Sequence, residues 1–138
     1  MASPANPVRF PISQRDALLI PSGRDLAEDQ CHLFTVLTDP GKNDSVLLVN
    51  VTTCHANVPD DPSCYLEVGD HPFTRHRSYV LYEKSRNVSL VKLSQLIAAR
   101  MIVFRPPPIS EPVFARIVAG VASSRMSPEH IAFFEQFK

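Results

Sequence analysis

The pattern that most constrains this chain is a series of short β-forming segments separated by turn residues. Residues 33–38 and 45–53 are both rich in valine, leucine and threonine, and about six residues with the turn-forming sequences Asp39-Pro-Gly41 and Asn43-Asp44 join them. A connection of this length favours an antiparallel hairpin. The same reasoning predicts four further strands, at residues 16–20, 64–68, 78–82 and 88–93.

The spacing of apolar residues becomes helical after the last predicted strand. Leu93, Leu96 and Ile97 predict a helix over residues 93–100, and Ser110 can cap a helix over 111–124. Ser127-Pro128 is a further helix start, before an amphipathic segment at 130–137. Strands followed by helices indicate an α+β domain, and strands this short tend to curl into a small antiparallel sheet or barrel.

The predicted domain organisation is simple. Residues 1–15, with three prolines and few large apolar side chains, are interpreted as a flexible N-terminal arm. Residues 16–138 form a single domain, with strands over 16–93 and helices over 94–138, a size that suits one core. Residues 24–30 and 54–63 are polar and are predicted as loops.

The charge distribution limits how the chain could bind nucleic acid. There are 14 Lys and Arg against 14 Asp and Glu, so no global positive field attracts a polyanion. Residues 75–86 are locally basic, with four cationic side chains and His76 against a single carboxylate. A nucleic-acid site is therefore expected to be local, and the region from Cys54 to Arg77 is its predicted surface.

Three cysteines, Cys31, Cys54 and Cys64, cannot all pair within one chain, which favours free thiols and a cytoplasmic location. No apolar run has the length of a signal peptide or of a membrane span, so no membrane association is expected. The cysteines and histidines could be considered as zinc ligands, but no short pair of cysteines of the C-x2–4-C kind occurs. No metal and no cofactor are predicted.

Four sequence pieces resemble the PemK/MazF family of bacterial toxins. They are the strand and polar loop over residues 19–30, the pair LFTVLTD and VLLVNVTT, the segment SYVLYEKSRNVSL, and PPPISEPVFARIVAGVASS. The resemblance implies an SH3-like barrel that forms a homodimer, cuts single-stranded RNA without a metal, and is held inactive by a cognate antitoxin. Such an antitoxin would lay an acidic, apolar-anchored segment along residues 75–86.

Metal-independent RNA cleavage needs a base, an acid and a cation for the phosphorane. The resemblance puts Thr52 at a catalytic or RNA-contacting threonine and Glu83 near a family acid or base, while histidine and arginine supply proton transfer and phosphate binding. The candidate catalytic residues are His32, Thr52, His71, Arg75, Arg77 and Glu83. The candidate substrate-binding residues are Tyr79, Tyr82, Lys84 and Arg86.

The candidate set departs from the family in one important way. The arginine before the family's central strand is replaced here by Cys31 or His32, and Leu81 stands where a later arginine is expected. These changes keep two alternatives open: a non-catalytic barrel that binds nucleic acid or a protein partner, and a small protein-interaction or immunity-type domain.

Overall fold

The computed structural model describes residues 11–21 and 31–138. Its six strands are β1 (Ala17–Pro21), β2 (Cys31–Val36), β3 (Ser45–Thr53), β4 (Tyr65–Leu66), β5 (Ser78–Ser89) and β6 (Val103–Phe104). Its helices are α1 (Leu90–Ala98), α2 (Glu111–Gly120), a 3-10 turn (Val121–Ser123) and α3 (Pro128–Phe137). None of the helices in this described part of the chain is long and apolar enough to cross a bilayer.

The strands form one antiparallel sheet in the order β4-β5-β3-β2-β1-β6. The predicted hairpin is present, since β2 and β3 pair with Leu33 opposite Val51 and Val36 opposite Leu48. The sheet curls into a half-barrel that is followed by the C-terminal helices. The predicted α+β class with a small curled antiparallel sheet is therefore confirmed.

Alternating residues of the central strands enter two separate cores. Leu33 and Val49 lie in a core that α2 and α3 cover, whereas Phe34 and Leu48 lie in a core that α1 covers. Successive side chains of a strand point to opposite faces, so a sheet covered on both sides needs apolar residues at nearly every position. The run VLLV in β3 meets this requirement, because residues 46–49 are all buried.

The largest difference from the predicted elements concerns residues 78–93. Two short strands were expected there, but β5 is continuous over twelve residues and then passes directly into α1. The Ser89 hydroxyl accepts a hydrogen bond from the Lys92 N–H, which caps α1 at its first turn. This cap explains why residues 90–93 are helical rather than extended. The short strand β6, within the segment predicted as helical, was not expected.

The part of the predicted N-terminal arm that is described, residues 11–15, packs against the domain. Ile12 is 4% exposed and belongs to the core under α1. The Arg15 N–H donates to the Val36 carbonyl, and its guanidinium donates to the Ile109 carbonyl, both at 2.9 Å. The arm prediction therefore does not hold for residues 11–15, because one isoleucine and one arginine attach them. Residues 1–10 and the predicted loop at 24–30 lie outside the described residues.

The predicted loop over residues 54–63 is present and is attached at its acidic end. The buried Asp61 carboxylate accepts hydrogen bonds from the Ser63 N–H at 3.0 Å and the Arg125 N–H at 3.1 Å. Burial by itself raises the pKa of this carboxyl, but the hydrogen bonds outweigh it and the pKa is lowered. Asp61 thereby joins the loop to the connection before α3.

Candidate functional site

A groove with a volume of about 620 Å³ lies on the α2/α3 face of the sheet, where β3 ends and β2 and β5 begin. The strands contribute Cys31, Leu33, Val51, Thr53 and Ser78. The loop before β5 contributes Phe73, Thr74, Arg75 and His76. We call this cavity the strand-end groove. It has an apolar floor, hydroxyl groups along its side, and two exposed side chains, Arg75 and His76, that bring basic groups.

The loop that carries these basic groups is held in place by His71. The Phe73 N–H donates to His71 Nδ1 at 3.1 Å, and the Thr74 N–H donates to the His71 carbonyl at 2.9 Å. On its other side, the His71 ring bonds to the Pro107 carbonyl through Nε2 at 2.8 Å. One imidazole therefore links the groove loop to the segment that precedes α2.

These bonds determine the protonation state of His71. A carbonyl only accepts, so Nε2 carries the hydrogen, and Nδ1 must be an unprotonated acceptor for the Phe73 N–H. His71 is only 2% exposed, and burial lowers its pKa. In this conformation the ring is neutral and both of its nitrogens are in use, so its evident part is to position the groove loop.

Among the residues that line the strand-end groove, Thr74 has a buried side-chain oxygen without a hydrogen-bond partner in the described part of the chain. Its side chain is 6% exposed, and its Oγ1 has no hydrogen-bond partner among the described residues. A buried hydroxyl without a partner loses the hydrogen bonds it would make to water. Because this oxygen has almost no accessible surface, Thr74 contributes to the wall of the groove and does not present its hydroxyl to a ligand there.

Two predicted catalytic residues lie on the opposite face of the sheet. His32 stands across from Ile20, whose side chain is in the core under α1, and Thr52 follows Val51, which lines the groove. Because neighbouring strand residues alternate in direction, His32 and Thr52 point away from the strand-end groove. Arg86 also lies on that face, with its guanidinium carbon 4.9 Å from the centre of the Phe34 ring.

Arg77 lies at the β4 edge and already has partners. Its Nε donates to Glu67 Oε1 at 2.9 Å, and its guanidinium carbon lies 4.1 Å from the centre of the Tyr65 ring. The hydrogen bond from Arg77 to Glu67 raises the pKa of the guanidinium. Its charge is thus matched by a carboxylate, whereas no ion pair to Arg75 occurs among the described residues.

The other predicted residues are spread along β5. Tyr79 and Tyr82 are buried, and the Tyr82 hydroxyl donates to the Ile117 carbonyl at 2.7 Å. Burial raises the pKa of Tyr82, so the phenol stays protonated.

Glu83 and Lys84 are exposed, but Glu83 lies five positions beyond Ser78, or about 16 Å along the strand. Of the ten predicted site residues, Arg75 alone lines the groove.

None of the three cysteines is in a disulfide, in agreement with the expectation from their odd number. Cys64 is buried, Cys31 lines the groove, and burial raises the pKa of both the Cys54 and Cys64 thiols. Among residues 11–21 and 31–138, no group of three or more histidine, cysteine, aspartate or glutamate side chains could hold a metal ion.

Sequence reasoning missed several groove residues, although a signal for some of them was available. Thr53 and Ser78 stand opposite each other in the β3–β5 pair, and both share a face with the buried Val51. The period of two, counted from the apolar centre of β3, would have put Thr53 rather than Thr52 beside Arg75. Phe73 and Thr74 lie in a loop, where a period of two does not apply. Their position in the groove depends on the hydrogen bonds that their N–H groups donate to His71.

No protein-family model matches this chain, and no curated protein matches its sequence significantly. The resemblance to the PemK/MazF toxins therefore stays a prediction.

Proposed function

We propose that this domain binds single-stranded RNA, with the strand-end groove as its binding site. The observation that carries the proposal is the exposed Arg75 next to His76 in a groove that also contains Phe73 and the hydroxyl side chains of Thr53 and Ser78. Arginine matches phosphate oxygens, an aromatic ring can stack on a base, and hydroxyls can bond to the ribose 2′-OH. A single strand presents all three groups at once.

The charge balance of the chain supports RNA binding through one or two phosphates rather than through a long series of ion pairs. The chain has no net charge, and the strand-end groove holds one arginine and one histidine. The logarithm of the affinity for a single strand changes with the logarithm of the salt concentration by about −0.7 for each phosphate neutralised. We therefore expect a slope between about −0.7 and −1.4.

Fluorescence anisotropy of a labelled single-stranded RNA at several salt concentrations tests the proposal. The expected result is saturable binding with this shallow slope, and weaker competition by a duplex of the same sequence. Absence of saturable binding at low salt, or equal competition by the duplex, would contradict it.

RNA cleavage, as the resemblance to the PemK/MazF toxins implies, is the second candidate. It is favoured by the neighbouring Arg75 and His76, which could bind the phosphate and move one proton. It ranks second because the predicted second acid or base, Glu83, lies about 16 Å along β5 from the groove. A cognate antitoxin and a homodimer belong to this candidate, and cysteines outside any disulfide fit a cytoplasmic setting.

Incubation of the protein with single-stranded RNA, followed by gel analysis, distinguishes the two candidates. Binding without products supports the first. Products that appear with the unmodified protein and disappear with His76→Gln would reverse the order.

A further inference from the structure

A second groove lies beside the strand-end groove. Its lining includes Cys31 together with Met101, Val103 and Phe104, with Arg100 at the end of α1, and its volume is about 390 Å³. We call it the edge groove, because β6 is the outer strand of the described sheet. Cys31 lines both cavities, so the two grooves adjoin at the start of β2.

The residues of the edge groove are unusually exposed for apolar side chains. Met101 is 55% exposed, Val103 is 42% exposed and Phe104 is 38% exposed. Adjacent exposed apolar side chains of this kind are found at binding surfaces more often than on the rest of a protein surface. Val103 stands across from Leu19 and therefore faces the same side of the sheet as the strand-end groove, whereas Phe104 stands across from Leu18, whose side chain is in the core under α1.

Arg100 gives the edge groove an exposed cation in an unusual backbone position. Its φ is 59°, a left-handed conformation that glycine or asparagine normally occupies after a helix. An arginine at this position has a backbone cost that glycine would avoid. Its side chain is exposed and makes no ion pair within the described part of the chain. The position thus presents a positive charge beside the exposed apolar side chains of Met101 and Val103.

We infer that the edge groove is a second subsite for the same single strand of RNA. This inference rests on the proposed function of the strand-end groove. From β5 to β6 the path crosses four strand spacings, or about 19 Å, which requires several nucleotides. An acidic peptide could also contact an arginine and apolar residues, but the continuity through Cys31 favours a chain that already occupies the neighbouring groove.

Binding of uridine oligomers of three and nine nucleotides to the full chain tests the inference. We expect the unmodified protein to bind the longer oligomer more tightly. Arg100→Gln should weaken binding of the nine-mer about fivefold, Val103→Ala should weaken it to a smaller extent, and both should leave binding of the three-mer unchanged. Arg75→Gln should weaken both. Lys92→Gln, an exposed charge on α1 across the sheet, is the control and should change neither.

The outcomes separate the two proposals. If the three-mer binds through Arg75 and the nine-mer binds no more tightly, the edge groove has no part in RNA binding and only this inference fails. If neither oligomer binds, the proposed function fails as well. Binding of an acidic peptide that depends on Arg100 and Val103, while the affinity for the nine-mer depends on neither, would assign the edge groove to a protein and overturn the inference. Thermal unfolding of Val103→Ala checks that its fold is intact.

Discussion

The two faces of the sheet differ at the point where β3 ends. On the α2/α3 face, Thr53 lines a groove with Arg75, whose guanidinium has no ion-pair partner among the residues that the structure describes. On the other face, Thr52 is next to Tyr79, and the nearby cations have partners: Arg77 bonds Glu67, and Arg86 lies over the Phe34 ring. One step along a strand therefore separates a surface that can accept an anion from one whose charges are already compensated.

This difference shows why residue types alone did not predict which side chains line the strand-end groove. Histidine, threonine and arginine occur on both faces, and a list of suitable types groups them together. The direction of each side chain decides which of them can contact one ligand. The following changes should break or sharpen the contrast between the faces.

The largest effect on stability is expected from Gly120→Ala, because Gly120 is packed tightly on the α2/α3 face of the sheet. A Cβ at this position would lie 2.8 Å from the Ser63 carbonyl oxygen and closer still to the Tyr82 hydroxyl. Overpacking and disturbance of the Tyr82–Ile117 hydrogen bond should lower the free energy of unfolding by about 3 kcal/mol, more than the helix gains from alanine. Thermal unfolding should show a midpoint lower by roughly 10 °C.

Gly41→Ala is the matched control, because its Cβ would meet only the Asp39 side chain, at 3.2 Å. Its effect should stay within about 0.5 kcal/mol, as for most surface changes. Equal destabilisation by the two substitutions would contradict the account of tight packing behind the groove.

The next largest effect concerns His71, which holds the groove loop. Burial lowers its pKa below the ordinary value of 6.5. A lowered pKa in the folded state means that the unfolded chain binds the proton first, so this stabilisation is complete above about pH 6.5 and is lost as the pH falls below it. The free energy of unfolding, measured with urea between pH 8 and pH 5, should decrease in that direction.

His71→Ala should lower stability at pH 8 by about 2 kcal/mol, because the Phe73 N–H and the Pro107 carbonyl lose their partner. The same variant should show a smaller loss between pH 6.5 and pH 5 than the unmodified protein. An unchanged pH dependence would mean that another group titrates in this range.

A smaller effect on stability should distinguish Thr52 from Thr38. The Thr52 hydroxyl is buried on the face opposite the groove, without a partner among the described residues, whereas Thr38 Oγ1 accepts from the Leu47 N–H at 3.0 Å. Thr52→Val should leave stability unchanged or raise it slightly, and Thr38→Val should lower it by about 1 kcal/mol. Urea unfolding of both variants measures this. A larger loss for Thr52→Val would indicate a hydrogen bond that the described contacts do not contain.

The fold could be predicted to a large extent because its signals are local. The turn residues between β2 and β3, the apolar run in β3 and Ser127, whose hydroxyl accepts from the His130 N–H at the start of α3, each act within a few positions of the chain, whereas the Ser110 side chain makes no capping hydrogen bond. The predicted break within β5 was wrong because residues 83–87 are polar, and a strand with one face partly exposed tolerates them. The Ser89 cap, which starts α1, was missed.

The candidate site was predicted only in part because its contacts are distant in sequence. Arg75 was found from local charge and stands in the groove. The hydrogen bond between His71 and Pro107 joins residues that are 36 positions apart, and no local pattern shows it. Without that bond, His71 is indistinguishable from a catalytic histidine in a turn, and Thr74 is indistinguishable from any loop threonine.

The comparison of RNA affinity between Arg75→Gln and Arg86→Gln tests the central claim most directly. Each substitution removes one exposed positive charge, so the two variants have equal net charge and differ only in the face that they change. If the strand-end groove binds single-stranded RNA, Arg75→Gln should weaken binding about tenfold, a loss of about 1.4 kcal/mol, and Arg86→Gln less than twofold. A larger loss for Arg86→Gln, or equal losses for both, would contradict the account.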